Sequence, residues 1–131
     1  MAKQRLVSNT RIYRDCRMLL DEVLDISVNF PRAHKFTIGS KMQEYAVDIL
    51  NELAGAYVNK SLAVRIDHLT RFQMKFETIK SLIRVSGERR WIGLKKYAQL
   101  SELLIGIGKQ SSAWKSSLIA ASKTPESGGQ G

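Results

Sequence analysis

Phe30-Pro31-Arg32-Ala33-His34-Lys35-Phe36-Thr37-Ile38-Gly39 interrupts a chain that otherwise reads as helix almost throughout. Pro31 has no backbone N–H to donate, and it pushes Phe30 out of helical geometry, so the helix before it must stop. Thr37 is the expected cap of the helix that follows. The corner is therefore architectural: Pro31, Phe36 and Gly39 fix how helix one meets helix two. Arg32 and Lys35 add to a basic surface.

Outward from the corner, four helices follow from hydrophobic spacing. Residues 10–29 place Ile12, Cys16, Leu19, Val23 and Ile26 on one face, with Arg and Asp on the other. Residues 38–59 carry a core stripe of Ile38, Met42, Tyr45, Ile49, Leu53 and Ala56. Val47, Leu50, Ala54 and Val58 form a second, weaker stripe, which fits either burial by two neighbouring helices or a subunit interface. Residues 61–86 are capped by Ser61 and stopped by Gly87, with Leu62, Leu69, Phe72, Phe76, Ile79 and Ile83 inward. Residues 93–122 show a heptad-like seam through Tyr97, Leu100, Leu104, Ile107, Ser111, Trp114 and Leu118. Gly106 and Gly108 each cost this helix about 1 kcal/mol relative to alanine, and the expected compensation is close helix contact. Short connections make successive helices antiparallel, so the predicted fold is all-α, an up-down-up-down four-helix bundle. The predicted organisation is an N-terminal tail at 1–9, the bundle at 10–122 and a disordered tail at 123–131.

The chain has 131 residues, 44% of them hydrophobic, enough for one domain with its own core. It lacks the run of about 18 apolar residues that a membrane span needs. No apolar h-region follows the first basic residues, so no secretory signal is expected. One cysteine, Cys16, excludes an internal disulfide, fits a reducing cytoplasmic setting and reads as a buried structural thiol.

The net charge of +9 is unevenly spread. Residues 1–59 hold eight Lys and Arg against seven Asp and Glu, and residues 97–131 hold three against two. Residues 60–96 hold ten against three. A clustered excess of this kind is the electrostatic footprint of a polyanion partner, RNA or DNA. Arg71 and Lys75 flank one edge of the core stripe of helix three, and Lys80 and Arg84 flank the other. Like charges four apart repel by a few tenths of a kcal/mol, with only Glu77 among them to offset this. Arg89 and Arg90 follow in the loop. Lys95 and Lys96 open helix four, where cations oppose the helix dipole. Choices that are locally unfavourable point to function. Trp91 either closes the end of the bundle or stacks on a base.

Catalytic and metal chemistry lack their usual marks. Neither His34 nor His68 has the Glu three residues earlier that di-metal bundles use, and solvated or capping roles are expected of both. There is no Walker loop or nucleophile elbow. The chain reads as a non-enzyme without a cofactor.

The corner resembles the Pro-Arg-x-His-(Arg/Lys)-Phe-x-(Leu/Ile)-Gly segment of the accessory variability determinant proteins of diversity-generating retroelements. In the same order, Ile79-Lys80-Ser81-Leu82-Ile83-Arg84, Tyr97-Ala98-Gln99-Leu100-Ser101-Glu102 and Ile105-Gly106-Ile107-Gly108-Lys109 through Trp114 resemble further segments of that family. The small four-helix bundles encoded in 23S rRNA intervening sequences share the Phe-Pro…Thr-x-Gly corner. Their Glu-Gly pair is Ala54-Gly55 here, which favours the retroelement branch. The resemblance implies a bacterial or phage-encoded protein that forms barrel-like homopentamers and binds both nucleic acid and the retroelement reverse transcriptase. It supports mutagenic copying of template RNA, with Lys80 and Arg84 at the family's functional basic positions. The alternative, an intervening-sequence type bundle, implies an RNA-binding or protein-interaction scaffold.

Overall fold

The computed structural model describes residues 6–123. Four long helices carry the fold: α1 (Arg11–Ser27), α2 (Ser40–Val58), α3 (Leu62–Glu88) and α4 (Leu94–Lys123). A 3₁₀ turn at Val7–Asn9 precedes α1 and packs against α1 and α2, so part of the expected N-terminal tail belongs to the bundle. Of the expected C-terminal tail, Lys123 ends α4, and the remainder lies outside the described residues. Each helix packs on the next along the chain, and α4 closes on α1, giving the up-down-up-down four-helix bundle.

The helix starts follow the side chains at their caps. Thr10 Oγ1 accepts from the Tyr13 N–H at 3.3 Å and donates to the Val7 carbonyl at 2.7 Å. Ser61 Oγ accepts from the Val64 N–H at 3.3 Å, as expected. The corner is shorter than its sequence predicts. Helical backbone resumes at Arg32, runs one turn to His34, and widens into a π-helical turn at Lys35–Gly39 that leads straight into α2. Pro31 starts this turn as well as ending α1, because its φ of −55° already suits a helix start. Its carbonyl accepts from the His34 and Lys35 N–H groups. Thr37 is therefore not a cap; it sits inside the turn and donates to the His34 carbonyl at 3.3 Å.

The predicted stripes form the core. Cys16, Leu19, Val23, Met42, Ile49, Leu53, Leu69, Phe72, Ile79, Ile83, Leu100 and Ile107 are fully buried. Phe72 and Phe76 stack at 5.6 Å within it. Burial pushes the Cys16 thiol well above its usual range, with the neighbouring Asp15 charge adding to the effect, so the thiolate a nucleophile needs is suppressed. The second stripe of α2 divides: Leu50 is buried between neighbours, while Val47 and Val58 remain 46% and 70% exposed.

Three glycines have roles other than those expected. Gly87 does not stop α3; it lies inside it, and a Cβ there would sit 2.7 Å from Tyr97 Cδ1 on α4. The close helix approach expected at Gly106 and Gly108 thus occurs at Gly87. A Cβ on Gly106 meets nothing within 4 Å, and one on Gly108 meets only Phe76 at an ordinary 3.7 Å. Gly106→Ala is expected to raise stability by about 0.5–1 kcal/mol through helix propensity. Gly87→Ala is expected to lower it by about 1–3 kcal/mol, because the Tyr97 ring must move. Thermal melts of the two variants check this contrast; equal effects of either sign would refute it.

Candidate nucleic-acid interface

The antiparallel order brings the C-terminal ends of α1 and α3 together with the N-terminal ends of α2 and α4. Trp91 binds this end together. Its ring lies 5.0 Å from Phe30 and stacks on His34 at 4.9 Å and 26°. Trp91 thus closes the bundle, and His34 is a packing partner of that ring rather than a solvated side chain.

The turn that carries Trp91 inward is a Schellman motif. Arg90 N–H bonds to the Gly87 carbonyl at 3.0 Å, and Trp91 N–H reaches the Ser86 carbonyl at 2.9 Å. The motif needs a left-handed residue at its centre, usually glycine. Here Arg90 takes that place with φ 61°, the one non-glycine residue with positive φ among those described. Such a conformation costs an L-residue about 1–2 kcal/mol. A cation is thus held where glycine would be more stable, and strain of this kind marks functional sites.

The ten basic residues singled out in the sequence fall into two sets. Arg71 and Lys75 face α2: Arg71 Nε is 3.3 Å from Glu52, and Lys75 Nζ is 3.5 Å from both Glu52 and Asp48. Lys96 bonds Glu22 on α1 at 2.8 Å. These three charges are met by carboxylates of neighbouring helices. Lys80 pairs only with the exposed Glu77 one turn away, and its ammonium lies 5.6 Å from the Phe76 ring. Arg84, Arg89, Arg90, Lys95, Arg32 and Lys35 make no ion pair among the described residues, and all six are exposed or half-exposed.

Lys80 and Arg84 line a groove of about 840 Å³ between α3 and α4. Its floor includes Phe76, Ile83 and Leu104, and Lys109 of α4 stands on the opposite rim. Lys109 escaped the sequence reading because the stretch it belongs to is nearly neutral. The register between the helices, set where Gly87 meets Tyr97 and Gln73 meets Lys115, is what brings it opposite α3. Gly108 lines the same groove, where its missing side chain leaves room. The chemistry available is recognition of anions by three long cationic side chains around an apolar floor. Among the described residues, no cluster of His, Cys, Asp and Glu could hold a metal ion, and no helix is long and apolar enough to cross a membrane.

The other edge of α3 is a structural network. His68 lies flat against Gly55, where any Cβ would collide with the imidazole, and its Nδ1 is 2.8 Å from Glu52 Oε1. His68 is thus neither solvated nor a cap. Burial alone would raise the Glu52 pKa. The hydrogen bond from His68 and the charges of Arg71 and Lys75 outweigh that effect and hold it below its ordinary value.

Two outcomes follow from this geometry. A folded-state pKa below the unfolded value of 4.5 means that the Glu52 contribution is complete above that pH and is lost as pH falls through the folded value. Glu52→Gln is expected to cost about 1–3 kcal/mol near neutral pH, with the gap to the parent protein narrowing below pH 4.5 in urea titrations. Arg90→Gly is expected to raise stability by about 1 kcal/mol while lowering retention on heparin, a polyanion. Loss of stability would disprove the strain at this turn.

The model of the bAvd-like family matches residues 6–118, the described bundle apart from its last turn, including the corner and the α3 and α4 segments. No curated protein matches the chain. The family resemblance carried by those segments therefore stands: this chain is an Avd-like protein and belongs to the bAvd-like family.

Proposed function

We propose that the protein is a non-enzymatic accessory factor of a diversity-generating retroelement, which binds RNA or DNA through phosphate contacts and engages the retroelement reverse transcriptase in the cytoplasm. The observation that carries this reading is the segregation of charge. The α2 and α1 carboxylates meet Arg71, Lys75 and Lys96, while among the described residues Lys80, Arg84, Arg89, Arg90 and Lys95 have no carboxylate from another helix within 4 Å. Five such cations along one helix end and its loop, one of them strained, form a clustered basic stripe of the kind that attracts polyanions. Membership of the bAvd-like family supports the retroelement setting. Assembly into a ring of bundles, a homopentamer by family resemblance, is part of the same proposal. Val47 and Val58 on the outer side of α2 give it exposed apolar contacts.

Phosphate binding releases counterions, so log K falls by about 0.7 to 0.9 per contact for each tenfold rise in salt. Four contacts give roughly a 50- to 150-fold loss of affinity between about 50 and 200 mM salt. Lys80→Glu combined with Arg84→Glu is expected to weaken nucleic-acid binding, flatten the salt slope and reduce co-purification with the reverse transcriptase, at unchanged helical circular dichroism. Binding that ignores salt, or that survives both reversals, would place the functional surface elsewhere.

A further inference from the structure

The two phenylalanines of the corner part company. Phe30 is 4% exposed and packs on Trp91, whereas Phe36 is 74% exposed. The sequence reading gave Phe36 an architectural role, and the π-helical turn overrides it. The wide turn at Lys35–Gly39 sends Ile38 onto the core and brings Gly39 against Ser27 and Phe30, and Phe36 is left pointing into solvent. A large aromatic ring loses roughly 2–3 kcal/mol of burial when it is left in water. Single-turn π segments recur at functional sites.

The ring has a consistent set of neighbours. The Lys35 ammonium lies 6.0 Å from its centroid. Arg32 is one helical turn away, and the His34–Trp91 stack brings the unpaired cations of the α3–α4 loop to the same end of the bundle. Trp91 cannot serve as a stacking platform, because His34 already lies on it and Phe30 is packed beside it. An exposed aromatic ring among unpaired cations is how proteins hold unpaired nucleotides: the ring stacks on a base while the cations follow the backbone. A base inside a duplex has no free face to offer such a ring.

We infer that Phe36 is a base-stacking residue, and that the corner end of the bundle binds single-stranded in preference to double-stranded nucleic acid, with Arg32, Lys35 and Arg90 on the phosphates. This rests on the nucleic-acid reading proposed above.

The test compares fluorescein-labelled oligouridylate and oligothymidylate of about 20 nucleotides with a duplex of equal length, titrated with the full chain. Phe36→Ala is expected to weaken single-strand binding about tenfold, leave duplex binding unchanged and preserve the salt slope, since stacking displaces no counterions. Phe36→Trp is expected to restore the affinity. Light scattering establishes the assembly mass of each variant. Failure of the parent protein to bind either probe overturns the nucleic-acid reading itself. Parent binding that Phe36→Ala leaves intact, or weakens equally for strand and duplex, overturns only the stacking assignment. An altered assembly mass in Phe36→Ala also overturns it, because Phe36 is then a subunit contact.

Discussion

The packing of Trp91 between Phe30 and His34 is the constraint on which the candidate interface depends. It is the contact that ties the α1–α2 corner to the α3–α4 loop. The left-handed turn at Arg90 delivers the indole into that slot, so the strain at Arg90 is offset by the burial of Trp91. One local geometry therefore serves two ends. It seals the apolar interior at the top of the bundle, and it lifts a guanidinium outward beside Arg89 and Lys95.

The rest of the bundle shows how a basic chain remains stable. Its excess of cations on α3 is divided by helix face. On the edge towards α2, Glu52 gathers His68, Arg71 and Lys75 around one largely buried carboxylate. On the edge towards α4, Lys80, Arg84 and Lys109 surround a groove with Glu77 as the one acidic residue of its lining. Neutralising the first edge lowers the self-repulsion of the fold without weakening the field at the second. Stability and attraction for an anion are thereby assigned to opposite sides of a single helix.

Much of this was legible in the sequence, and the misses share a cause. The helices, their inward faces and the cap at Ser61 follow from spacing and side-chain chemistry, which are local. The charge excess is likewise a property of the linear chain. What was misread depends on contacts between helices. Arg71 and Lys75 looked unrelieved because their carboxylates belong to α2. Gly87 looked like a helix stop because Tyr97 lies ten positions further along the chain. Lys109 was passed over because only the register of α3 against α4 reveals its place. At the corner, Pro31 ends α1 as its chemistry predicts, but its fixed φ also begins the next turn, and the π-helical widening that exposes Phe36 leaves no mark in hydrophobic spacing.

The cyclic order of the bundle also has a kinetic side. Three of its four helix pairs join chain neighbours through short connections, and their contacts can form early at little loop-closure cost. The α1–α4 pair brings together residues far apart in the chain, and the Glu22–Lys96 and Asp15–Gln110 hydrogen bonds cross it. The entropy of closing the whole chain falls on that seam. Of the four helix pairs it is the one of greatest sequence separation, so chain entropy favours its formation least.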